Sequence, residues 1–228
     1  MAQRHPTRRA TAHPKFRAVG LPAAALIAVN ILLMYLVAAT PLAPLSRAAF
    51  ASPIVGLLVF GGALTAGNYL AERGLEGGGM PMAYGGVALL EATYGVLGGG
   101  ILALLAAGNR PLALGITLVV TVAITLGIAA YVYLRGGEYG HWNRWSLYAF
   151  VVGAVLVLVG SFVVPVVLLG GFVFVFLGFT LRLGYEIWRV RASYDPDRSL
   201  IHALGIYVAF TGVFIHVLQI VVRMVAEQ

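Results

Sequence analysis

Long apolar stretches alternate with short polar segments along the whole chain. Seven stretches are long enough to span a bilayer as an α-helix, which takes about 20 mainly apolar residues. They cover residues 18–39, 53–71, 82–107, 112–134, 146–164, 168–188 and 200–222. The segments between them are short and rich in glycine, proline or charge, as turns are. Because such long apolar stretches exclude barrel strands, the pattern predicts an all-α, polytopic integral membrane protein built as a seven-helix bundle.

The composition agrees with a membrane protein and limits its chemistry. Hydrophobic residues make up 61% of the chain and charged residues 10%, which would leave a soluble domain with too little polar surface. The chain has no cysteine, so disulfides, thiolate metal sites and thiol nucleophiles are excluded. Any chemistry therefore depends on carboxylates, histidines, arginines, hydroxyls or the backbone.

Basic residues are concentrated at the N-terminus. Five of the fifteen Lys and Arg residues lie within positions 1–17, beside two prolines. We therefore expect residues 1–17 to form a disordered basic tail and residues 18–228 to form a single transmembrane domain. The formal charge of +7 could suggest a nucleic-acid partner, but a basic tail beside a membrane segment favours anionic lipid head groups instead.

The remaining Arg residues predict the orientation of the bundle. With the N-terminus on the cytoplasmic side, that side receives eleven Arg and Lys residues and the opposite side receives three. Short loops with an excess of positive charge face the cytoplasm. We expect a cytoplasmic N-terminus and an external C-terminus, in a prokaryotic plasma membrane.

Three charged residues lie inside the predicted membrane segments, where each costs ~2.5–3.5 kcal/mol on insertion scales. Glu91 is in the middle of the third segment, on a face with Gly95 and Gly98 that allows close helix packing. It is either a carboxylate on an ion or proton path or a protonated acid used in packing. Arg182 and Glu186 are one helical turn apart in the sixth segment, so each lowers the insertion cost of the other. This pair either gates a path or extends to the head groups without a further role.

Small and polar residues share one face of the seventh segment. They recur every three or four positions, at His202, Gly205, Ala209, Gly212, His216 and Gln219. This face is predicted to point into the bundle. His216 is either a group that titrates near physiological pH or a buried hydrogen-bonding side chain.

The C-terminal part of the chain resembles the Bax inhibitor-1 family. The stretch "GYEIWRVRASYDPDRSLIHALGIYVAFTGVFIHVLQIV", residues 184–221, is similar to the family's C-terminal signature. That signature has a tyrosine and an acid near the end of the sixth helix, then a polar loop and a last helix. Tyr185 and Glu186 match its first element, and "ALGIYVAFTGVF" matches its last helix. Upstream, residues 88–140 resemble the family's third and fourth helices.

The resemblance implies a seven-helix membrane protein that leaks calcium in a pH-dependent way. In eukaryotes the family is associated with suppression of cell death. Its gate is attributed to two aspartates, one in each of the last two helices, that share a proton. Glu186 corresponds to the first aspartate, but Ala209 occupies the position of the second, so no shared-proton pair can form there. Any gate is then expected to use Glu186 and Arg182, with Glu91 and His216 as further candidates.

Two functional classes remain open. One is a leak channel or transporter for calcium, another cation or protons, with a modified pH latch. The other is a non-conducting membrane scaffold, or an accessory subunit of a membrane complex, in which the buried charges only fix the helix register. We do not expect an enzyme, because the chain has no paired-aspartate, serine–histidine or H-E-x-x-H arrangement. No cofactor is expected apart from weakly bound calcium.

Overall fold

The computed structural model describes residues 16–49 and 52–227, which are almost entirely helical. In this part of the chain the α-helices are α1 (Leu21–Ala39), α2 (Leu42–Ala49), α3 (Pro53–Arg73), α4 (Met80–Leu102), α5 (Arg110–Arg135), α6 (Trp142–Gly160), α7 (Pro165–Ala192) and α8 (Ser199–Ala226). All of them except α2 are long and apolar enough to cross a membrane. The predicted all-α, seven-helix transmembrane bundle is confirmed. Residues 1–15 of the predicted basic tail lie outside the described residues.

Proline lies in the first turn of α1, α3, α4, α5 and α7. Backbone N–H groups in the first helical turn have no partner within the helix, so proline, which lacks this group, loses no hydrogen bond there. The fixed φ angle of proline also suits a helix start. This explains one wrong limit in the sequence interpretation. The sixth segment is predicted to begin at residue 168 after a turn, whereas α7 already begins at Pro165.

The short helix α2 is a second difference from the prediction. The segment "TPLAPLSR" is predicted as a turn, but residues Leu42–Ala49 are helical. One face of α2 is buried through Ala43 and Ser46, and the Ser46 hydroxyl donates a hydrogen bond to the carbonyl oxygen of Val96 at 2.5 Å. Packing of this face against α4 stabilises a helix that is too short to be stable alone.

Helix α8 is the central helix of the bundle. From Ile201 to Leu218 every residue is buried except Ile206 and Val208, which are half-buried. Helices α1, α4, α5 and α7 pack around it. A helix with apolar residues on every side is expected at such a central position, and the polar residues of α8, such as His202 and His216, are buried with them. Most of the surface of α8 is therefore covered by protein.

Glycines bring α6 and α7 into close contact. A Cβ atom at Gly160 would collide with the backbone of Leu168, and one at Gly171 would lie 2.7 Å from the backbone nitrogen of Val157. Small residues of this kind allow membrane helices to approach backbone to backbone. Because one face of α7 packs on α6, a different face of α7 packs against α8.

Helices α7 and α8 pack antiparallel with a regular register. A Cβ atom at Gly205 would touch the carboxyl group of Glu186, and one at Gly212 would collide with the ring of Phe179. The step of seven residues from Gly205 to Gly212 along α8 is thus matched by an equal step back along α7. This register places Gly205 of α8 beside Glu186, near the charged end of α7.

Candidate functional site

Glu186 lies at the centre of an ionic cluster near the end of α7. Its side chain is fully buried, with 0% of its surface exposed. Oε1 lies 2.7 Å from Nη2 of Arg182, and Oε2 lies 3.2 Å from Nη2 of Arg189. The two arginines precede and follow the acid by four and three residues, so both reach the same face of the helix. The predicted ion pair is therefore a cluster of two arginines around one carboxylate.

A further set of contacts fixes both arginines. Nη1 of Arg182 donates a hydrogen bond to Oδ1 of Asn143 at 2.6 Å, and Nε of Arg189 donates to Nδ1 of His202 at 3.2 Å. The ring of Tyr185 faces both guanidinium groups, with its centroid 5.4 and 5.9 Å from their Cζ atoms. Contacts of this geometry are cation–π interactions. Residues of α6, α7 and α8 together thus hold the arginines on Glu186.

Gly205 of α8 provides the space for the Glu186 carboxylate. A Cβ atom at position 205 would lie only 2.6 Å from Cδ and Oε2 of Glu186. Contacts this short do not occur in stable packing, so any side chain here would displace the carboxylate or the helix. Glycine at this position therefore lets the acid approach the α8 backbone closely.

Two guanidinium groups and a second carboxylate act on the charge of Glu186, since Glu72 near the end of α3 is also within electrostatic range. One carboxylate faces two guanidinium groups, whose side chains remain 31% exposed at Arg182 and 21% exposed at Arg189. Both carboxylate oxygens are already in contact with a guanidinium nitrogen. A cation could bind Glu186 only after at least one arginine had moved away, because both compete for the same oxygens. We call this arrangement of Arg182, Glu186 and Arg189 the arginine latch.

Glu91 forms a separate polar cluster in the middle of the bundle. Nδ2 of Asn30, on α1, donates a hydrogen bond to Oε2 of Glu91 at 2.8 Å and lies 3.1 Å from the backbone carbonyl oxygen of Glu91. The same nitrogen lies 3.3 Å from the hydroxyl of Tyr207 on α8. Glu91 is 6% exposed and Asn30 is 0% exposed. Glu91 therefore faces the bundle interior, as its position on the predicted helical face indicates.

Helix α8 separates the two acids. Gly205 contacts Glu186, whereas Tyr207, two residues later, contacts the Asn30 amide that binds Glu91. Two residues along an α-helix correspond to a rotation of about 200°, so these contacts lie on nearly opposite faces of a helix about 10 Å wide. The structure thus does not bring Glu91 and Glu186 to one site.

His216 belongs to neither acid cluster. Its Nδ1 atom lies 2.8 Å from the carbonyl oxygen of Gly212, and its ring packs beside the rings of Phe176 and Phe179 at centroid distances of 5.9 and 5.7 Å. It also lines an apolar groove between α7 and α8. Eleven residues, about 16 Å along the helix, separate it from Gly205. These contacts are those of a packed, hydrogen-bonded histidine.

Ala209 is fully buried on α8. By the register of α7 and α8, it lies opposite the helical turn that carries Arg182. The position that the resemblance assigns to a second acid therefore holds a buried methyl group, level with the turn of α7 that carries Arg182. The residue directly against the Glu186 carboxylate is Gly205, one helical turn earlier.

The sequence interpretation missed several partners of these acids. Arg189 lies three residues after Glu186, a spacing that predicts a helical ion pair, but its place near the segment end favours a surface position. Asn30 is the only amide in the first apolar stretch, and a polar residue there signals a hydrogen bond between helices. Its partner could not be identified from the sequence, since Asn30 and Glu91 are 61 positions apart.

A conventional metal site is not formed by the side chains. Among residues 16–49 and 52–227, no group of three or more His, Asp or Glu side chains could hold a metal ion. Calcium usually takes six to eight oxygen ligands, which backbone carbonyls and water would have to provide in part.

Comparison with known proteins gives one match. Residues 18–225 match the family model described as "Inhibitor of apoptosis-promoting Bax1". The match includes every transmembrane helix in the described residues and both buried acids. No curated protein and no solved structure matches the chain.

Proposed function

Because this chain belongs to the Bax inhibitor-1 family, we propose that it is a cation-leak protein closed by the arginine latch. The observation that supports this most directly is the fully buried Glu186 carboxylate between Arg182 and Arg189. One arginine would be enough to neutralise a structural glutamate. The second arginine occupies the other carboxylate oxygen, so neither oxygen is open to a cation.

Opening of the latch requires the arginines to leave Glu186. Each arginine has another partner that it could keep during this movement: Asn143 for Arg182 and His202 for Arg189. Both side chains are also partly exposed, so water could solvate a guanidinium group that had moved away. The released carboxylate would then be free to bind a passing cation. Calcium is the first cation to test, in view of the family.

The charges at this end of the bundle support a cytoplasmic location for the latch. The ends of α3, α5 and α7 and the starts of α6 and α8 lie here, together with Arg73, Arg135, Arg144, Arg191 and Arg198. The positive-inside rule then favours a cytoplasmic N-terminus and an external C-terminus. The plasma membrane of a prokaryote, anionic lipids at the basic tail, and the absence of catalytic activity and of a resident cofactor belong to the same proposal.

Cation flux through purified protein in liposomes tests the proposal. Arg182→Gln and Arg189→Gln should each increase flux of calcium, because each frees one oxygen of the Glu186 carboxylate for a cation. Glu186→Gln should abolish the pH dependence of flux while both arginines remain. Arg144→Gln is the matched control, since Arg144 is an exposed arginine at the same end of the bundle. Flux that responds equally to Arg144→Gln and Arg182→Gln would contradict a role for the latch.

A non-conducting scaffold is the second candidate function. It is favoured by one observation, namely that Glu91 and Glu186 are both enclosed by protein contacts in the same structure. Charges that only fix the register of α4, α7 and α8 would be buried in this way. Negligible flux in the parent and in all latch variants, with folding confirmed by size-exclusion chromatography, would support this candidate.

A further inference from the structure

The apolar groove between α7 and α8 lies at the end of the bundle opposite to the arginine latch. Its lining includes Leu169, Val173 and Phe176 of α7 and Gln219, Ile220 and Arg223 of α8. We propose that this groove binds one anionic phospholipid, with an acyl chain in the groove and the lipid phosphate on Arg223. The proposal does not rest on the proposed leak.

The two polar residues Gln219 and Arg223 lie at the depths of the polar parts of a phospholipid. Arg223 follows Gly205, beside the latch, by 18 residues, which is about 27 Å along α8. The hydrocarbon core of a bilayer is about 30 Å thick. Because the latch lies near one end of the bundle, Arg223 is at the level of the lipid phosphates at the other end. Gln219 is one helical turn deeper, by about 6 Å, at the level of the ester carbonyls.

The side chains of Gln219 and Arg223 have no hydrogen-bond or ion-pair partner among residues 16–49 and 52–227. His216, in the same groove, differs because its Nδ1 atom contacts the carbonyl oxygen of Gly212. An amide or a guanidinium group that faces hydrocarbon without a partner is costly. A phospholipid supplies an acceptor for each, since an ester carbonyl accepts from the amide and a phosphate accepts from the guanidinium group.

The rest of the groove suits a hydrocarbon chain. Leu169, Val173 and Ile220 are 55%, 56% and 58% exposed on the outer surface of the bundle. The groove has a volume of about 110 Å³. Pockets that enclose drug-sized ligands are larger, at ~300–1,000 Å³. The groove therefore accommodates a segment of one acyl chain rather than an enclosed ligand.

The charge of Arg223 selects an anionic lipid. Glu227, one helical turn later, is exposed and does not lie within ion-pair distance of Arg223 in the described part of the chain. The guanidinium group is thus free to bind a phosphodiester through two parallel hydrogen bonds. The head group of phosphatidylglycerol keeps a net negative charge, whereas that of phosphatidylcholine carries a compensating ammonium group. Phosphatidylglycerol is therefore the probe to use.

Native mass spectrometry of the delipidated full-length chain in detergent tests the proposal by titration with lipids of identical acyl chains. We expect one phosphatidylglycerol per chain, bound more tightly than phosphatidylcholine. Arg223→Gln should weaken phosphatidylglycerol binding by about 5- to 10-fold and remove this preference. Gln219→Leu should weaken both lipids by about 2- to 10-fold, because both carry ester carbonyls. Arg144→Gln, at an exposed arginine of the other end, is the control and should bind as the parent does.

The variant Ile220→Trp tests the groove separately from the phosphate contact. Its indole ring would fill the groove, so phosphatidylglycerol binding should be lost, and the exposed position allows the larger side chain without disturbing the core. Unchanged binding in this variant, or equally tight binding of glycerol phosphate, which has no acyl chain, would overturn the proposal.

Three other results would also contradict a phospholipid in the groove. Equal affinity for the two lipids, or equal losses in Arg223→Gln and Arg144→Gln, would show that Arg223 only stabilises the C-terminal end of α8. A dimer of the parent that Ile220→Trp dissociates would show that a second copy of the chain covers the groove. Because binding is measured in detergent, failure of the proposed leak leaves this test unaffected.

Discussion

Removing Arg182 and Arg189 together should destabilise the protein by more than the sum of the two single removals. In Arg182→Gln, Glu186 keeps Arg189 at 3.2 Å; in Arg189→Gln, it keeps Arg182 at 2.7 Å. Each single variant therefore still has a paired carboxylate. In the double variant the fully buried Glu186 has no cationic partner left within ion-pair distance in the described part of the chain.

The expected sizes follow from the burial of the three side chains. Removing one partner of a buried pair costs about 3–5 kcal/mol when the remaining charge is left unpaired. The single variants should cost only about 1 kcal/mol each, because the arginines are 31% and 21% exposed and solvent screens the loss. The double variant should cost about 4–5 kcal/mol, which gives a coupling energy of about 2–3 kcal/mol between the arginines.

A double-mutant cycle measured by reversible unfolding in mixed micelles gives this coupling energy. The same cycle in a Glu186→Gln background is the control, because a neutral side chain no longer needs a guanidinium partner. There the arginine substitutions should have small effects that simply add. Additive losses in both backgrounds would refute the reasoning, since the arginines would then act independently of Glu186. A decrease in coupling only in the Glu186→Gln background would support it.

Three further predictions concern the packing and orientation of the same helices. Gly205→Ala should lower stability by about 1–3 kcal/mol in a thermal unfolding assay, because its Cβ would meet the Glu186 carboxylate. Gly127→Ala, whose Cβ would face open space, is the control and should be neutral or slightly stabilising. Ala209→Asp should pair with Arg182 and leave Glu186 with Arg189 alone, so that calcium flux increases and ⁴⁵Ca²⁺ binding becomes stronger; unchanged flux and binding in a folded variant would show that Ala209 does not face Arg182. Because the chain has no cysteine, single cysteines at Gly108 and Ala192 should react with an impermeant maleimide from outside and inside the cell, respectively, and labelling of both from one side would contradict the proposed orientation.

The helices could be predicted because membrane insertion depends on long apolar runs, which are a local property of the sequence. Helix ends were less certain, since proline permits a helix to start as well as a turn to form, as at Pro165. Helix α2 was missed for a different reason. Its eight residues are stabilised by contact with Val96 on α4, and this contact is not visible in the local pattern.

In the candidate site, too, contacts within one helix could be predicted from the sequence, whereas contacts between helices could not. The contact between Arg182 and Glu186 could be predicted because it depends only on positions four residues apart on one helix. The binding of Asn30 to Glu91 and the packing of Gly205 on Glu186 depend on which helices become neighbours. Apolar helices give few signals for their neighbours in a membrane, because lipid and protein interiors are similarly apolar. A single sequence therefore identifies the acids but not their partners.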